Sequence, residues 1–331
     1  MRRVVLAAAG LVAFLLLPAV AAAPVQAASD DARRASAGYA AMQRYLVDPR
    51  TGDFREKVGS RTRANAWPVS QAIAATIAVG APTRLMLVEK YRTGPVYAAW
   101  PGGDVYWDDN EWLAQDFLAD GRPASVDRAH AIFAAVVRAW DDDGTKPCAG
   151  GVQWTEAAGN DDRNTVSTVN GALVGFELNA RRPSASVRYW SQKMLDWVDV
   201  CMLADDGLTW DHIDRAGNVD TTHWSYNDGS LIGALVLDGQ VARAEELADR
   251  ALQYYEARWS TEPPEFASIF FVNLLRLAAA DGRSDYVAAA QAYADEMWAT
   301  RRNARTGLYG PRLLDQAALV RLYAELAKAG R

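Results

Sequence analysis

The sequence is poor in the residues that build metal and redox sites. Its 331 residues include two cysteines, Cys148 and Cys201, and three histidines, His130, His212 and His223, none at ligand-like spacing. That disfavours a zinc centre or a disulfide-dense scaffold. It also lacks a long Lys/Arg run, and 35 basic residues against 41 acidic ones give a formal charge of −6. A chain of that sign is a poor partner for nucleic acid or an anionic membrane surface. With 24 Gly and 13 Pro, it is neither collagenous nor proline-rich. No fixed-period repeat is present, which argues against a solenoid. Beyond residue 28 no apolar run is long enough to span a bilayer. What is present is globular: half the residues are apolar and 23% are charged.

Residues 1–27 read as a secretory leader. Arg2 and Arg3 supply the positive start, Val4 to Leu17 is uncharged and apolar, and Val25-Gln26-Ala27 offers small residues for cleavage before Ala28. A retained anchor is the alternative, disfavoured by the small residues after Pro18. The remainder, 28–331, is expected to be one exported domain, acting as a monomer without stable membrane insertion. Export permits a Cys148–Cys201 disulfide, with two buried thiols as the other option.

Helical patterns dominate, with candidate segments at 30–47, 66–79, 83–91, 109–119, 125–140, 163–180, 184–203, 226–238, 240–259, 264–280, 284–301 and 311–329. Segments 163–180, 226–238 and 264–280 are apolar or small on most faces, whereas 240–259 and 284–301 carry charge on one face. A helix apolar all round is buried and an amphipathic one lies outside. The alternation predicts an all-α fold, an (α/α)6 toroid of six helical hairpins, against an irregular bundle. Tight connections such as Asp238-Gly239 contrast with long ones at 92–108, 141–162 and 204–225. These hold or border Trp100, Tyr106, Trp107, Trp154, Trp210 and Trp224, and they should crowd one mouth of the ring, where a cleft is expected.

The sharpest chemical signal is Tyr106-Trp107-Asp108-Asp109-Asn110-Glu111-Trp112. Two carboxylates between aromatics at a helix start are explained in part by capping. Capping leaves the aromatics unexplained. Glycoside hydrolysis needs paired carboxyls, about 5–5.5 Å apart for retention, and rings that stack on sugars. Near a helix end, neighbouring carboxyls can both face a cleft. The acidic run also suits a magnesium–diphosphate motif of helical isoprenoid synthases, with Glu111 on the face of Asp108. The absence of a basic cluster for diphosphate counts against it. Asp141-Asp142-Asp143 reads as a solvated loop without the spacing of a calcium loop.

Tyr106-Trp107-Asp108-Asp109 followed by Trp112 resembles the catalytic segment of glycoside hydrolase family 76, the endo-α-1,6-mannanases. Gly150-Gly151-Val152-Gln153-Trp154, with Arg163-Asn164 and Asn170 after it, is similar to that family's second motif. Trp224-Ser225-Tyr226-Asn227-Asp228-Gly229, then Ile232-Gly233, is similar to its third. The resemblance covers most of residues 35–325. It departs from the family at Leu113, where a second Trp is common, at Arg163 in place of Lys, and at Asp228 in place of Gln.

The resemblance implies an (α/α)6 toroid and a retaining hydrolase of α-mannan that needs no cofactor and no metal. It implies Asp108 as nucleophile and Asp109 as general acid/base. Candidate substrate-binding residues are Trp107, Trp154, Trp224 and Tyr226 as sugar platforms, and Asn164, Asn170 and Asp228 as hydroxyl partners. The polysaccharide is the expected partner, and the expected location is secreted or cell-wall associated. A cell-wall transglycosidase and a non-catalytic mannan-binding protein are the alternatives. Retention of both Asp108 and Asp109 disfavours the latter.

Overall fold

A computed structural model describes residues 22–330. The leader expected over 1–27 lies outside the described residues except for its last six, which begin the first helix. Eleven α-helices follow in order: α1 (Ala22–Leu46), α2 (Ala66–Ala78), α3 (Trp107–Asp120), α4 (Pro123–Arg138), α5 (Thr165–Arg181), α6 (Ala185–Cys201), α7 (Ser225–Asp238), α8 (Val241–Tyr255), α9 (Pro264–Asp281), α10 (Ser284–Thr300) and α11 (Leu313–Ala329). A 3₁₀ segment, Leu85–Tyr91, stands where one more outer helix was expected. Among the described residues no helix is long and apolar enough to cross a membrane.

The alternation of buried and amphipathic helices is realised as two rings. Helices α2, α3, α5, α7, α9 and α11 pack each on the next, and α11 returns to α2 to close the inner ring. Outside, α4, α6, α8 and α10 each cover the inner helix before them, the 3₁₀ segment covers α2, and α1 covers α11. This is the (α/α)6 toroid. The inner helices are buried on nearly every face: α5 has an unbroken buried run from Thr165 to Phe176. On α8 only Ala244, Leu247, Ala248, Ala251 and Tyr255 are buried, the spacing of a single apolar stripe.

Chain direction fixes where the loops go. Inner helices α3, α7 and α9 end at Gly121, Gly239 and Gly282, each in the left-handed conformation that caps a helix cheaply in glycine. The chain turns there at once into an outer helix. All the long connections therefore lie at the opposite face, where the six inner helices begin.

Those long connections are knitted together. Short antiparallel bridges join Ala98 to Val105, Tyr106 to Thr155, and Gln153 to Arg163. Arg163–Asn164 pairs with His212–Ile213, which pairs with Val219–Asp220. The result is a belt of backbone pairing around one side of the mouth. Cys148 and Cys201 form a disulfide with Cα atoms 6.0 Å apart, tying the 141–162 loop to the end of α6. Arg163 is fully buried and donates to the carbonyls of Pro147, Cys148 and Asp214. Its fork thus joins the two loops, turned inward from any substrate. Gly150 and Gly151 have φ of 110° and 87°, and a Cβ on Gly151 would lie 2.6 Å from the Trp197 ring. The paired glycines of this motif are needed for backbone shape. Asp141, expected in a solvated loop, is buried and paired with Lys146.

Candidate active site

The mouth holds a cleft of about 650 Å³. Its lining comes from the starts of the inner helices and the residues just before them: Asn65 and Trp67 at α2, Tyr106, Asp108, Asp109 and Trp112 at α3, Asn164 at α5, Tyr226 at α7, Phe266 at α9 and Leu314 at α11. The belt adds Trp100, Trp154, Asp162, Asp211 and His212.

Helix α3 opens with Tyr106 as its cap residue, so Asp108 and Asp109 occupy the second and third positions of the first turn. Two contacts hold that turn. The Trp107 N–H donates to the carbonyl of Trp154 at 2.9 Å, and Tyr106 packs edge-on against the Trp154 ring at 5.0 Å. Fully buried Asn110 accepts from the Tyr97 N–H and donates to the carbonyls of Tyr97 and Tyr106, each at 2.8 Å. The helix start is thereby bonded to the strand before it.

The two carboxyls sit in unequal surroundings. Burial pushes Asp108 up to about 7, against backbone N–H groups of the helix start and the Trp154 side chain, which bond its charged form, while the Asp211 charge adds to the rise. Asp109 is held well above the ordinary carboxyl range by burial and then by the Asp108 charge, with no hydrogen bond to offset them. One of the pair can ionise near neutral pH and the other keeps its proton. Of the two, Asp108 at the helix start has the influences that favour its charged form, and Asp109 has none. Glu111 lies one helical turn on, fully buried and outside the cleft lining, with both oxygens unpartnered. Burial, then the Asp108 charge, keeps it neutral as well.

The sequence-derived binding candidates divide. Trp154, Asn164 and Tyr226 line the cleft with the Asp pair. Trp107 is 4% exposed and turns to the outer side, towards Val105 and Ala135. Trp224 is outside the lining and packs on Phe266 at 5.4 Å, behind the wall. Asn170 is fully buried within the ring, its amide atoms unpartnered. Asp228 is also fully buried, accepting from the Thr209 N–H and hydroxyl at 2.9 and 2.8 Å, so it fastens the 204–225 loop to α7.

Other lining residues escaped the sequence reading. Phe266 packs tilted against Tyr226 and Trp67, with ring centroids 4.1 and 6.1 Å apart, forming one aromatic wall. Asp211 and His212 bond each other at 3.0 Å, and burial holds the Asp211 carboxyl up against the opposing hydrogen bond and charge of His212. Asp162 is raised by burial too. Asp211, His212 and Asp220 bring three ligand-type atoms within 4.8 Å, the group among the described residues that could hold a cation at the cleft edge. A positional signal existed for Asp162 and Phe266, which lie just before or at the start of an inner helix, and none for Asp211 and His212, which lie in the middle of a long loop.

The sequence model described as glycosyl hydrolase family 76 matches residues 105–238. The mannan endo-1,6-alpha-mannosidase DCW1 of Candida glabrata is 28% identical over 124 residues, covering 34% of this chain and 27% of that protein. For the mannan endo-1,6-alpha-mannosidase DFG5 of Saccharomyces cerevisiae the figures are 29% over 126 residues, 35% and 27%. The chain thus spans about a quarter of the length of the curated relatives it matches.

Among solved structures, the family 76 α-mannanase BT2949 of Bacteroides thetaiotaomicron superposes with a TM-score of 0.79 at 17% identity, covering 92% of this chain and 98% of that one. The GH76A α-1,6-mannanase of Salegentibacter sp. HEL1_6 gives 0.75 at 19% identity, with 91% and 100% covered. At such identities the likeness speaks to the fold. The matched segment carries the Asp pair and all three motifs, the remaining helices complete the same ring as in those structures, and residues 105–238 are similar to glycoside hydrolase family 76.

Proposed function

We propose that this chain is an exported, retaining, endo-acting α-1,6-mannanase that cleaves α-mannan through a covalent glycosyl–enzyme. The observation that carries the reading is the unequal pair at the start of α3, set in an aromatic-walled cleft. In the first step Asp108 attacks the anomeric carbon while Asp109 gives its proton to the departing glycosidic oxygen. In the second, Asp109 takes a proton from water as the oxygen of that water displaces Asp108. Two inversions return the original anomeric configuration. Helix N–H groups at Asp108 favour the charged nucleophile, and burial of Asp109 favours the protonated acid.

The substrate class is supported by the relatives. Two are named mannan endo-1,6-alpha-mannosidases. An inactive variant of the Salegentibacter enzyme, with two adjacent aspartates replaced, is described in complex with α-1,6-mannotetraose. Trp154 and the Tyr226–Phe266 wall supply ring faces for sugars, and Asn164, whose Oδ1 is unpartnered, supplies an acceptor for a hydroxyl. The leader expected over residues 1–27 supports a location outside the cell or at its wall.

Incubation with defined α-1,6-mannooligosaccharides, followed by mass spectrometry and anomeric NMR, tests the reading. Internal cleavage with α-configured first products is expected. β-configured products would overturn retention, and release of single mannose units from one end would overturn the endo mode. Transfer to a second sugar in place of water would move the assignment to a transglycosidase.

A further inference from the structure

Trp100 is the most exposed tryptophan of the cleft lining, at 45%, and the exposure is built in. It opens the four-residue turn Trp100-Pro101-Gly102-Gly103, in which the Gly103 N–H donates to the Trp100 carbonyl at 2.8 Å. Proline at the second position and Gly102 at φ 79° suit a type II turn. The turn is the tip of a hairpin closed by the Ala98–Val105 bridge and by the Ala99 N–H donating to Asp104. The Ala66 N–H bonds the Ala99 carbonyl, fastening the hairpin to the start of α2. The indole lies against Gly103. A Cβ there would fall 2.3 Å from Cε2 and 2.5 Å from both Cδ2 and Nε1. One ring face is thus seated on bare backbone and the other is left free beside the cleft.

A single exposed ring is ordinary on a protein surface; what distinguishes Trp100 is that its open ring is held by a rigid turn in the lining of the cleft. The tip is also displaced from the reacting pair. Gly103 lies three residues before Tyr106 along the strand, roughly 10 Å at about 3.3 Å per residue. That is the reach of an oligosaccharide, beyond that of the single sugar being attacked. We infer that Trp100 is a sugar-stacking platform at a distal subsite, and that through it the enzyme reads the length of its glycan. The inference rests on the cleft being a glycan site, and it adds a specificity-determining residue outside the family motifs. Gly103 serves it as a positioning residue.

The test is the dependence of kcat/KM on chain length, measured from α-1,6-mannobiose to the hexaose. In the wild type kcat/KM should climb with length. In Trp100→Ala the long-to-short ratio should fall several-fold, up to roughly tenfold, the range expected for one aromatic stacking contact. Gly103→Ala should lower the same ratio by displacing the ring. Trp100→Phe should restore part of it. Tyr189→Ala, an exposed ring on outer helix α6, should leave it unchanged. An unaltered ratio in a folded Trp100→Ala would overturn the platform.

Failure of the function itself reads differently. If no α-1,6-linked compound is turned over, glycan arrays of other linkages are probed with the wild type and Trp100→Ala. A ligand whose length preference is lost in the variant keeps the platform and discards the mannanase. Absence of any glycan binding discards both.

Discussion

The two ends of the inner ring enclose spaces of similar size, about 650 Å³ at the mouth and 730 Å³ at the far end, with opposite chemistry. Among the described residues the mouth is lined by five carboxylates, Glu56, Asp108, Asp109, Asp162 and Asp211, against the one basic side chain of His212. The far end collects Arg181, Arg276, Arg321 and Lys328 with Glu177 and Glu325. Helix direction accounts for the signs. Six N-termini face the mouth and favour negative charge, and six C-termini face the far end and favour positive charge. Pairing makes the difference in use. At the far end Arg276 holds Glu177 at 2.7 Å. At the mouth acids crowd one another, and burial lifts Asp108 and Asp109 instead of a cation neutralising them. Charge of the sign the helix dipole favours collects at both ends, and at the mouth Asp108 and Asp109 have no cation paired with them among the described residues.

The comparison breaks first at the Asp pair. Asp108→Ala should abolish turnover of every mannoside, a loss of at least ~10⁴-fold, because no group remains to form the glycosyl–enzyme. Asp109→Ala should spare the first step with an aryl mannoside whose phenol leaves unaided. Azide should then rescue its second step with an α-mannosyl azide as product. A β-azide from that variant, with an α-azide from Asp108→Ala, would exchange the two roles. Hydrolysis unaffected by either change would reduce the pair to a helix cap.

Opening the Cys148–Cys201 link comes next. Closure of 53 residues is worth about 3–4 kcal/mol in the chain-entropy view. Cys148→Ser with Cys201→Ser should lower the melting temperature by several degrees and raise KM, because the tied loop carries Trp154. A melting temperature equal to the wild type would refute the clamp.

A finer probe is the acid limb of the pH profile. Activity should fall as pH drops through about 7, where Asp108 takes up a proton. Trp154→Phe removes a hydrogen bond to the charged form, so the folded-state pKa of Asp108 rises and the limb moves to higher pH. A limb that stays put, or moves down, would remove Trp154 from the charge balance. The smallest effect belongs to the far end. Arg276→Ala should cost roughly 1 kcal/mol in denaturant titrations, as for a partly exposed pair, with kcat/KM unchanged. A drop in kcat/KM would tie the two ends of the ring together.

Much of this was legible in the sequence because it follows from periodicity. The alternation of all-apolar and one-faced helices gave the double ring, and the Asp-Gly stops located its tight turns. The Asp pair stood out because capping could not account for its aromatic company. What was illegible is rotation about a helix start. Trp107 and Asp108 are neighbours, yet adjacent residues on a helix point ~100° apart, so one faces outward and the other the cleft. Trp224 and Tyr226 separate because Trp224 is the extended cap residue and Tyr226 lies in the first turn of α7. Asp228 looked like a sugar ligand until the Thr209 N–H and hydroxyl claimed one of its oxygens. Asp211, His212 and Phe266 belong to no motif; strand pairing with Arg163–Asn164 brings the first two to the cleft, and the packing of α9 on α7 brings the third.

The ring closes through its ends. Helix α11 packs on α2 and is covered by α1, so elements nearly three hundred residues apart complete one wall. Leu314, at the start of α11, belongs to the cleft itself. A chain emerging in order from a ribosome or a translocation pore therefore has no finished cleft until its last helix is free. Partial rings present open apolar flanks until then, and the chain acquires its cleft and its final stability in the same late event.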